Sequence, residues 1–228
     1  MVVLGIECSS RQGSVALLDG DKLLAEKTGI ADRIRHNVIF DALEEIRTGS
    51  GIQYADISLY AVGRGPGSFS GMRMSFAIAQ SLALPDKKEV RAVSSGAALA
   101  YRVAQTFLSA HEQTGKSAPQ QIAVAGDARR GQIWLGMFHV DAASSPDVQF
   151  IDDWKLIPYE EAAIPDGTVV TSPEAERLEK IFPAIGAPEF PHARDVALLA
   201  QKISEPPEPL YMHPAVFSEP KYAVEKTV

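Results

Sequence analysis

The stretch VVLGIECSSRQGSVALLDGDKLLAEKT, residues 2–28, decides the fold. Residues 2–7 form a continuous apolar run, the pattern of a buried strand. Gln12-Gly13 marks a tight turn, and residues 14–18 read as a second strand. Asp19-Gly20 is a strong hairpin signal, and residues 23–28 read as a third strand. Three short strands joined by tight turns make an antiparallel meander.

The next segments change period. Ile34, Val38, Ile39, Ala42, Leu43 and Ile46 recur on one stripe of a 3.6-residue repeat, which predicts a helix over residues 33–47. Asp32 is placed to cap its start and Gly49 to end it. Residues 57–62 read as a strand. A Gly-rich segment at 63–71 leads into a helix closed by Pro85. Residues 89–93 read as a strand, and Ser94 or Ser95 caps an Ala-rich helix running to about Phe107. The order βββαβαβα places a meander and two βαβ crossovers on one mixed sheet. That is the half-unit of the actin-like ATPase (ASKHA) and ribonuclease H-like α/β architecture. A ferredoxin-like fold lacks the opening meander.

Polar residues 109–120 contain Gly and Pro and read as a linker. Beyond it a shorter strand series starts: residues 122–125, 132–140, 148–151 and 168–171. Helices are expected at 173–181 and 193–203. Two lobes are therefore expected, 1–110 and a smaller 111–228, with an irregular, proline-containing tail from about 205.

Composition narrows the function. The 228 residues are 46% apolar, enough for one large or two modest cores, and 22% charged. One cysteine, Cys8, excludes an internal disulfide and suits a reducing cytoplasm. The first residues carry no basic n-region, and no run of about 18 apolar residues exists. A cytoplasmic protein without a membrane span is expected. The net charge of −7 repels phosphate backbones. Together with the lack of a basic-aromatic patch in the sequence, it disfavours a free-standing tRNA-binding module.

The segment Gly63-Arg64-Gly65-Pro66-Gly67-Ser68-Phe69-Ser70-Gly71 is the sharpest local signal. It fails as a P-loop, having no lysine, and as a dinucleotide fingerprint, because Gly71 falls one position late. Spacing alone leaves two readings open: a tight strand-to-helix connection that only small residues can pack, and an anion site at a helix N-terminus. Neither Ser68 nor Ser70 satisfies the G-x-S-x-G nucleophile pattern. Of His36, His111, His139, His192 and His213, no two lie within a helical turn, so no metal-binding histidine pair is present.

The string GRGPGSFSGMRMSFAIAQSLAL closely resembles the pattern GRGPGSFTG-x-R-x-G…AQGLAL of the TsaB (YeaZ) family. Arg64, Gly65, Pro66, Gly67, Ser68, Phe69, Gly71 and Arg73 stand where that family has them. Ser70 replaces the usual Thr, and Ser75 and Ser81 stand where Gly is frequent. Asp127-Ala128-Arg129 with the Gly131-Gln132-Ile133-Trp134 that follows resembles the family's DAR-x-G-E-V-Y. Residues 4–10 resemble its AIDT(S/A) opening. Pro209-Leu210-Tyr211 resembles P-x-Y-L-R, with Met212-His213 in place of Leu-Arg.

The resemblance implies a non-catalytic subunit needed for threonylcarbamoyladenosine formation on ANN-decoding tRNAs. It would bind and activate the catalytic relative TsaD and help recruit the ATPase TsaE, with tRNA reached only through the complex. It implies an interface on the first helix, for which Ile34, Val38, Phe40 and Leu43 are the candidates, toward TsaD or a second copy of the chain. The Gly-rich residues from Arg64 to Arg73 would shape the cleft. Arg73, placed near a helix start against the dipole, is expected to have an anionic partner or ligand. No catalytic residue, no metal and no cofactor held by the chain alone are expected, and any nucleotide would sit at the interface with TsaD. Glu7, Asp127 and Arg129 fall at the nucleotide-cleft positions of actin-like ATPases, and the resemblance points to a vestigial version of that cleft. The alternative is an active ATPase or phosphotransferase of the same fold using Glu7 and Asp127 with Mg²⁺.

Overall fold

The computed structural model describes residues 1–30, 38–114, 119–141 and 147–213. β1 (Val2–Glu7), β2 (Gln12–Asp19) and β3 (Lys22–Ile30) form the expected meander. Its second turn uses Gly20 at φ +57, a conformation that costs glycine little. The first turn lies over residues 8–11, because Gln12 and Gly13 already pair with β3. α1 (Val38–Ser50), β4 (Leu59–Gly63), α2 (Phe69–Ala83), β5 (Glu89–Val93) and α3 (Ser95–Thr114) follow. β4 pairs parallel to β1 and β5 parallel to β4, giving the sheet order β3-β2-β1-β4-β5. This is the βββαβαβα unit read from the sequence. The Asp32 cap and Ile34 lie outside the described residues.

Both faces of this sheet are covered, which is why β1 and β4 read as unbroken apolar runs. On one face Leu4, Ile6, Val15 and Leu17 meet Ile39, Ala42, Leu43 and Ile46 of α1 and Phe76 and Ala79 of α2. On the other, Val3, Ala16, Leu18 and Ala61 meet Ala193, Val196, Ala197 and Ala200 of α5 (Ala193–Ala200). The last helix among the described residues thus returns to the first sheet, so a cut at residue 110 does not separate two independent layers. Its small residues allow very close approach to β1.

α3 runs through Thr114, across the first part of the expected linker, because no Gly or Pro follows Gly96 of its first turn through residue 114. Ser94 caps it, its Oγ accepting from Ala97 N at 3.2 Å. Leu99, Ala100, Val103 and Ala104 pack α3 on the second sheet. That sheet holds β6 (Gln121–Arg129), β7 (Gln132–Asp141), β8 (Asp147–Phe150), β9 (Lys155–Pro158) and β10 (Val169–Thr171). Its order is β10-β6-β7-β8, with β9 pairing to the other end of β7. An antiparallel β6–β7 pair with β10 parallel to β6 repeats β1–β2 with β4 in shorter form. The helix expected over 173–181 shrinks to α4 (Ala175–Leu178).

One buried acid couples this packing to pH. Asp195, in the first turn of α5, is 5% exposed, with Arg102 of α3 at 3.6 Å. His192, Glu26 and Arg194 are its other charged neighbours. Burial pushes its carboxyl from 3.8 up to about 6. Between those values the native state holds a proton that the unfolded chain has released. Stability from this group therefore falls as pH rises through that window and is flat above it. Asn does not titrate, so Asp195→Asn should gain up to about 3 kcal/mol relative to the parent between pH 4 and pH 7. Urea unfolding of both proteins across that range checks this; a pH-independent difference would contradict it.

Candidate functional site

The C-terminal ends of β1, β4 and β6 converge on a cleft of about 930 Å³ between the two halves. Ser9, Ser10, Arg11, Gly67, Ser68, Phe69 and Arg73 line one side, and Asp127, Arg129, Glu174, Glu176 and Arg177 the other. Leu210, Tyr211, Met212 and His213 close the end.

The Gly-rich loop reaches the cleft for a steric reason. Ser68 caps α2, its Oγ accepting from Gly71 N at 3.3 Å. Gly67 and Gly71 press on the end of β1: a Cβ would lie 2.1 Å from Ser9 O at the first and 1.8 Å from Cys8 O at the second. Of the two readings open from spacing, the tight connection accounts for both glycines. Gly65, Pro66 and Gly71 are buried, while Gly67, Ser68, Phe69 and Arg73 face the cleft.

Arg64 does not line the cleft, contrary to the sequence reading. It is 8% exposed. Its Nε donates to Glu208 O at 3.0 Å and its Nη1 to Glu205 at 3.3 Å, anchoring the segment after α5. Leu210 N donates back to Arg64 O at 2.7 Å. Residues 205–213 are thus a strap, tied to the first half at Arg64 and Ala92 and to the second where His213 Nε2 lies 2.7 Å from Ala128 O. Arg73 forms no ion pair among the described residues; its guanidinium lies 5.3 Å from the Phe69 ring centre. Phe69 in turn stacks at 4.9 Å on Tyr211.

The two carboxylates singled out by position are fully engaged. Glu7 is completely buried. One oxygen accepts from Ser9 N at 2.5 Å and the other from Ser95 Oγ at 2.7 Å. Ser95 Oγ also accepts from Gly65 N at 2.9 Å, so one buried chain of hydrogen bonds ties β1, the Gly-rich loop and α3 together. Burial raises the Glu7 carboxyl above its ordinary value, opposed by the Ser9 and Ser95 bonds. Asp127 sits at the cleft wall. It accepts from Arg129 N at 2.8 Å, Arg129 Nη1 at 3.0 Å, Tyr159 Oη at 3.0 Å and Arg177 Nη1 at 2.9 Å. Burial works against its charge, but these donors prevail and hold it below the usual carboxylate range. Glu7 and Asp127 therefore do not fit a shared Mg²⁺: Glu7 does not reach the cleft, and the oxygens of Asp127 are taken by protein donors. Arg129 is exposed and belongs to this ion-pair set.

A structural Glu7 makes a specific prediction. Glu7→Ala leaves Ser9 N–H and Ser95 O–H without their acceptor inside the core and should destabilise by about 3 kcal/mol. Glu7→Gln should stay within about 1 kcal/mol of the parent, because its amide can accept from Ser9 and donate to a Ser95 hydroxyl that already accepts elsewhere. Thermal unfolding of the pair checks this, and equal losses would contradict it.

Other candidates divide. Among the described residues no group of His, Cys, Asp and Glu is arranged to hold a metal. The Cys8 thiol is buried and pushed up to about 12. Phe40 stands 54% exposed on α1, available to a partner. Leu43 is 5% exposed and packs on the sheet, so it is not an interface residue. Val38 begins α1. Sequence reading missed Ser95, Tyr159, Glu174 and Arg177, whose partners lie up to 88 positions away and leave no local pattern.

Known proteins resemble this chain along most of its length. The family model for TsaD, tRNA N6-adenosine threonylcarbamoyltransferase, matches residues 26–191. The tRNA threonylcarbamoyladenosine biosynthesis protein TsaB of Haemophilus influenzae is 28% identical over 74% of this chain and 66% of its own length. Its Escherichia coli namesake is 30% identical over 62% of this chain and 56% of its own. The matches span less than two thirds of these relatives' length. The solved structure of YeaZ from Pseudomonas aeruginosa superposes with a TM-score of 0.72 at 23% identity, covering 92% of this chain and 99% of that one. A second Pseudomonas aeruginosa structure, described as similar to peptidase YEAZ, gives 0.74 at 23% identity, covering 93% and 99%.

Proposed function

The chain belongs to the family of TsaD, tRNA N6-adenosine threonylcarbamoyltransferase, on its TsaB (YeaZ) side, and from that premise we propose that it is a non-catalytic subunit in threonylcarbamoyladenosine formation on tRNA. The observation that carries the reading is the state of the cleft carboxylates. Glu7 is sealed in the core by Ser9 and Ser95, and Asp127 is consumed by Arg129, Tyr159 and Arg177. The other carboxylates of the cleft, Glu174 and Glu176, are bonded to Asp127 N and to Arg11, so an actin-like cleft in this state has no unpaired carboxylate to position a metal-bound phosphate for transfer.

The chemistry then belongs to a TsaD partner, and this chain acts by binding it. A binding partner raises activity only through a higher affinity for the competent state of the enzyme. The exposed side of α1, carrying Phe40 among Asp41, Glu44 and Glu45, is the surface proposed for that contact, with TsaE recruited to the assembled pair. Any nucleotide would be held between the two proteins.

Mixing the purified chain with the TsaD of the same genome tests this on size-exclusion chromatography with light scattering. A heteromeric peak at micromolar concentration is expected. Separate elution at every ratio, under conditions where both proteins are folded, would sink the reading.

A further inference from the structure

We propose that Phe69, Arg73 and Tyr211 form a stacking platform for an unpaired base of RNA at the mouth of the cleft. The choice of RNA as ligand rests on the functional reading above; the platform itself rests on geometry.

Three observations carry it. First, Phe69 is 58% and Tyr211 44% exposed, yet their rings are held 4.9 Å apart at 31°. Paired rings left this open contribute little to a core, and such a surface stacks readily on the π-face of any base. Second, the platform is built in advance from both sides. Phe69 is the first residue of α2, fixed by the Ser68 cap. Tyr211 lies between Leu210, bonded to Arg64 O, and His213, within 2.7 Å of Ala128 O. Binding therefore orders little that is not already ordered.

Third, the charge reverses here. The whole chain carries −7, but the cleft beside the rings presents Arg11, Arg73, Arg129 and Arg177 against Asp127, Glu174 and Glu176. Arg129 and Arg177 share Asp127, with Glu174 also 3.7 Å from Arg177, Arg11 is matched by Glu176, and Arg73, which has no carboxylate among the described residues, is the cation in excess. A guanidinium over an aromatic ring is a common partner of stacked bases, and the neighbouring arginines suit the phosphates that flank a base. An acidic chain was expected to reach tRNA only through its complex. The patch that expectation lacked is assembled from residues at 69, 73, 129 and 211.

The test uses the full chain and two fluorescein-labelled RNAs, a hairpin with a seven-nucleotide loop and a blunt duplex of the same length, read by anisotropy at low salt. The hairpin should bind about 10-fold or more tightly than the duplex, since only it offers unpaired bases. Phe69→Ala and Tyr211→Ala should each weaken hairpin binding about 10-fold, and Phe69→Tyr should restore it. Arg73→Ala should lower the slope of log affinity against log salt by about 0.7. Equal binding of hairpin and duplex overturns the platform, as does hairpin affinity unchanged in alanine variants that melt like the parent. Displacement of the hairpin by micromolar AMP overturns it too, since the site then takes a free nucleotide. Complex formation with TsaD is measured on the same variants. Its loss in Phe69→Ala, with hairpin affinity kept, assigns the rings to a protein contact and also overturns the proposal. A parent chain that never pairs with TsaD sinks the subunit reading instead, whatever the RNA result.

Discussion

Gly71→Ala should destabilise the chain by about 3 kcal/mol, although alanine is the better helix former by about 1 kcal/mol. Gly71 lies in the first turn of α2, where an added Cβ would sit 1.8 Å from Cys8 O and 2.9 Å from Cys8 C. Both are backbone atoms, so no rotamer change relieves the overlap. α2 must lift from the end of β1, disturbing the Ser68 cap and the contacts of Met72, Phe76 and Ala79 beneath it. A control with the opposite sign is available. Gly49, near the end of α1, has nothing within 4 Å of its Cβ direction, and Gly49→Ala should gain a few tenths to about 1 kcal/mol. Thermal and urea unfolding of the two variants measures both. Equal, small effects would show that the loop is not packed on β1 as described.

Phe40→Asp should weaken the complex with TsaD by about 30-fold or more while leaving the fold intact. Phe40 is 54% exposed, so its replacement removes little from the core, unlike replacement of Ile39, Leu43 or Ile46. Exposed aromatic anchors at interfaces typically contribute 2 kcal/mol or more, and a carboxylate cannot be desolvated in their place. Glu44 and Glu45 are already paired with Arg47 and Lys27, so the new carboxylate beside Asp41 has no cation left to take. The measurement is a titration of labelled TsaD with parent and variant. A folded Phe40→Asp that binds as the parent does would move the interface away from α1.

What was legible in the sequence follows from how local each cause is. The meander declared itself through Asp19-Gly20 and its flanking apolar runs, and the crossovers through the change of period at α1 and α2. The burial of Ile39, Ala42, Leu43 and Ile46 was visible as a stripe. Which edge of such a stripe meets a partner is not encoded by periodicity, and Leu43 fell on the wrong side. α3 ran past its expected end because polar residues that read as linker also continue a helix when no Gly or Pro stops them. The return of α5 to the first sheet, and the burial of Arg64 by Glu205 and Glu208, depend on contacts across 141 positions and more. The site shows the same division. Glu7 and Asp127 were found by position, but their engagement required Ser95, Tyr159 and Arg177, and the Phe69–Tyr211 pair joins two motifs that look unrelated along the chain.

On the function proposed above, the cleft performs no chemistry of its own and the chain works through its partner. The most direct measurement is threonylcarbamoyl transfer to an ANN-decoding tRNA with threonylcarbamoyl-adenylate supplied, run with this chain alone, with TsaD alone and with both. The account predicts no product from the chain alone, and product with both proteins well above that from TsaD alone. Product formed by this chain without TsaD, or an unchanged TsaD rate when the chain is added, would contradict it.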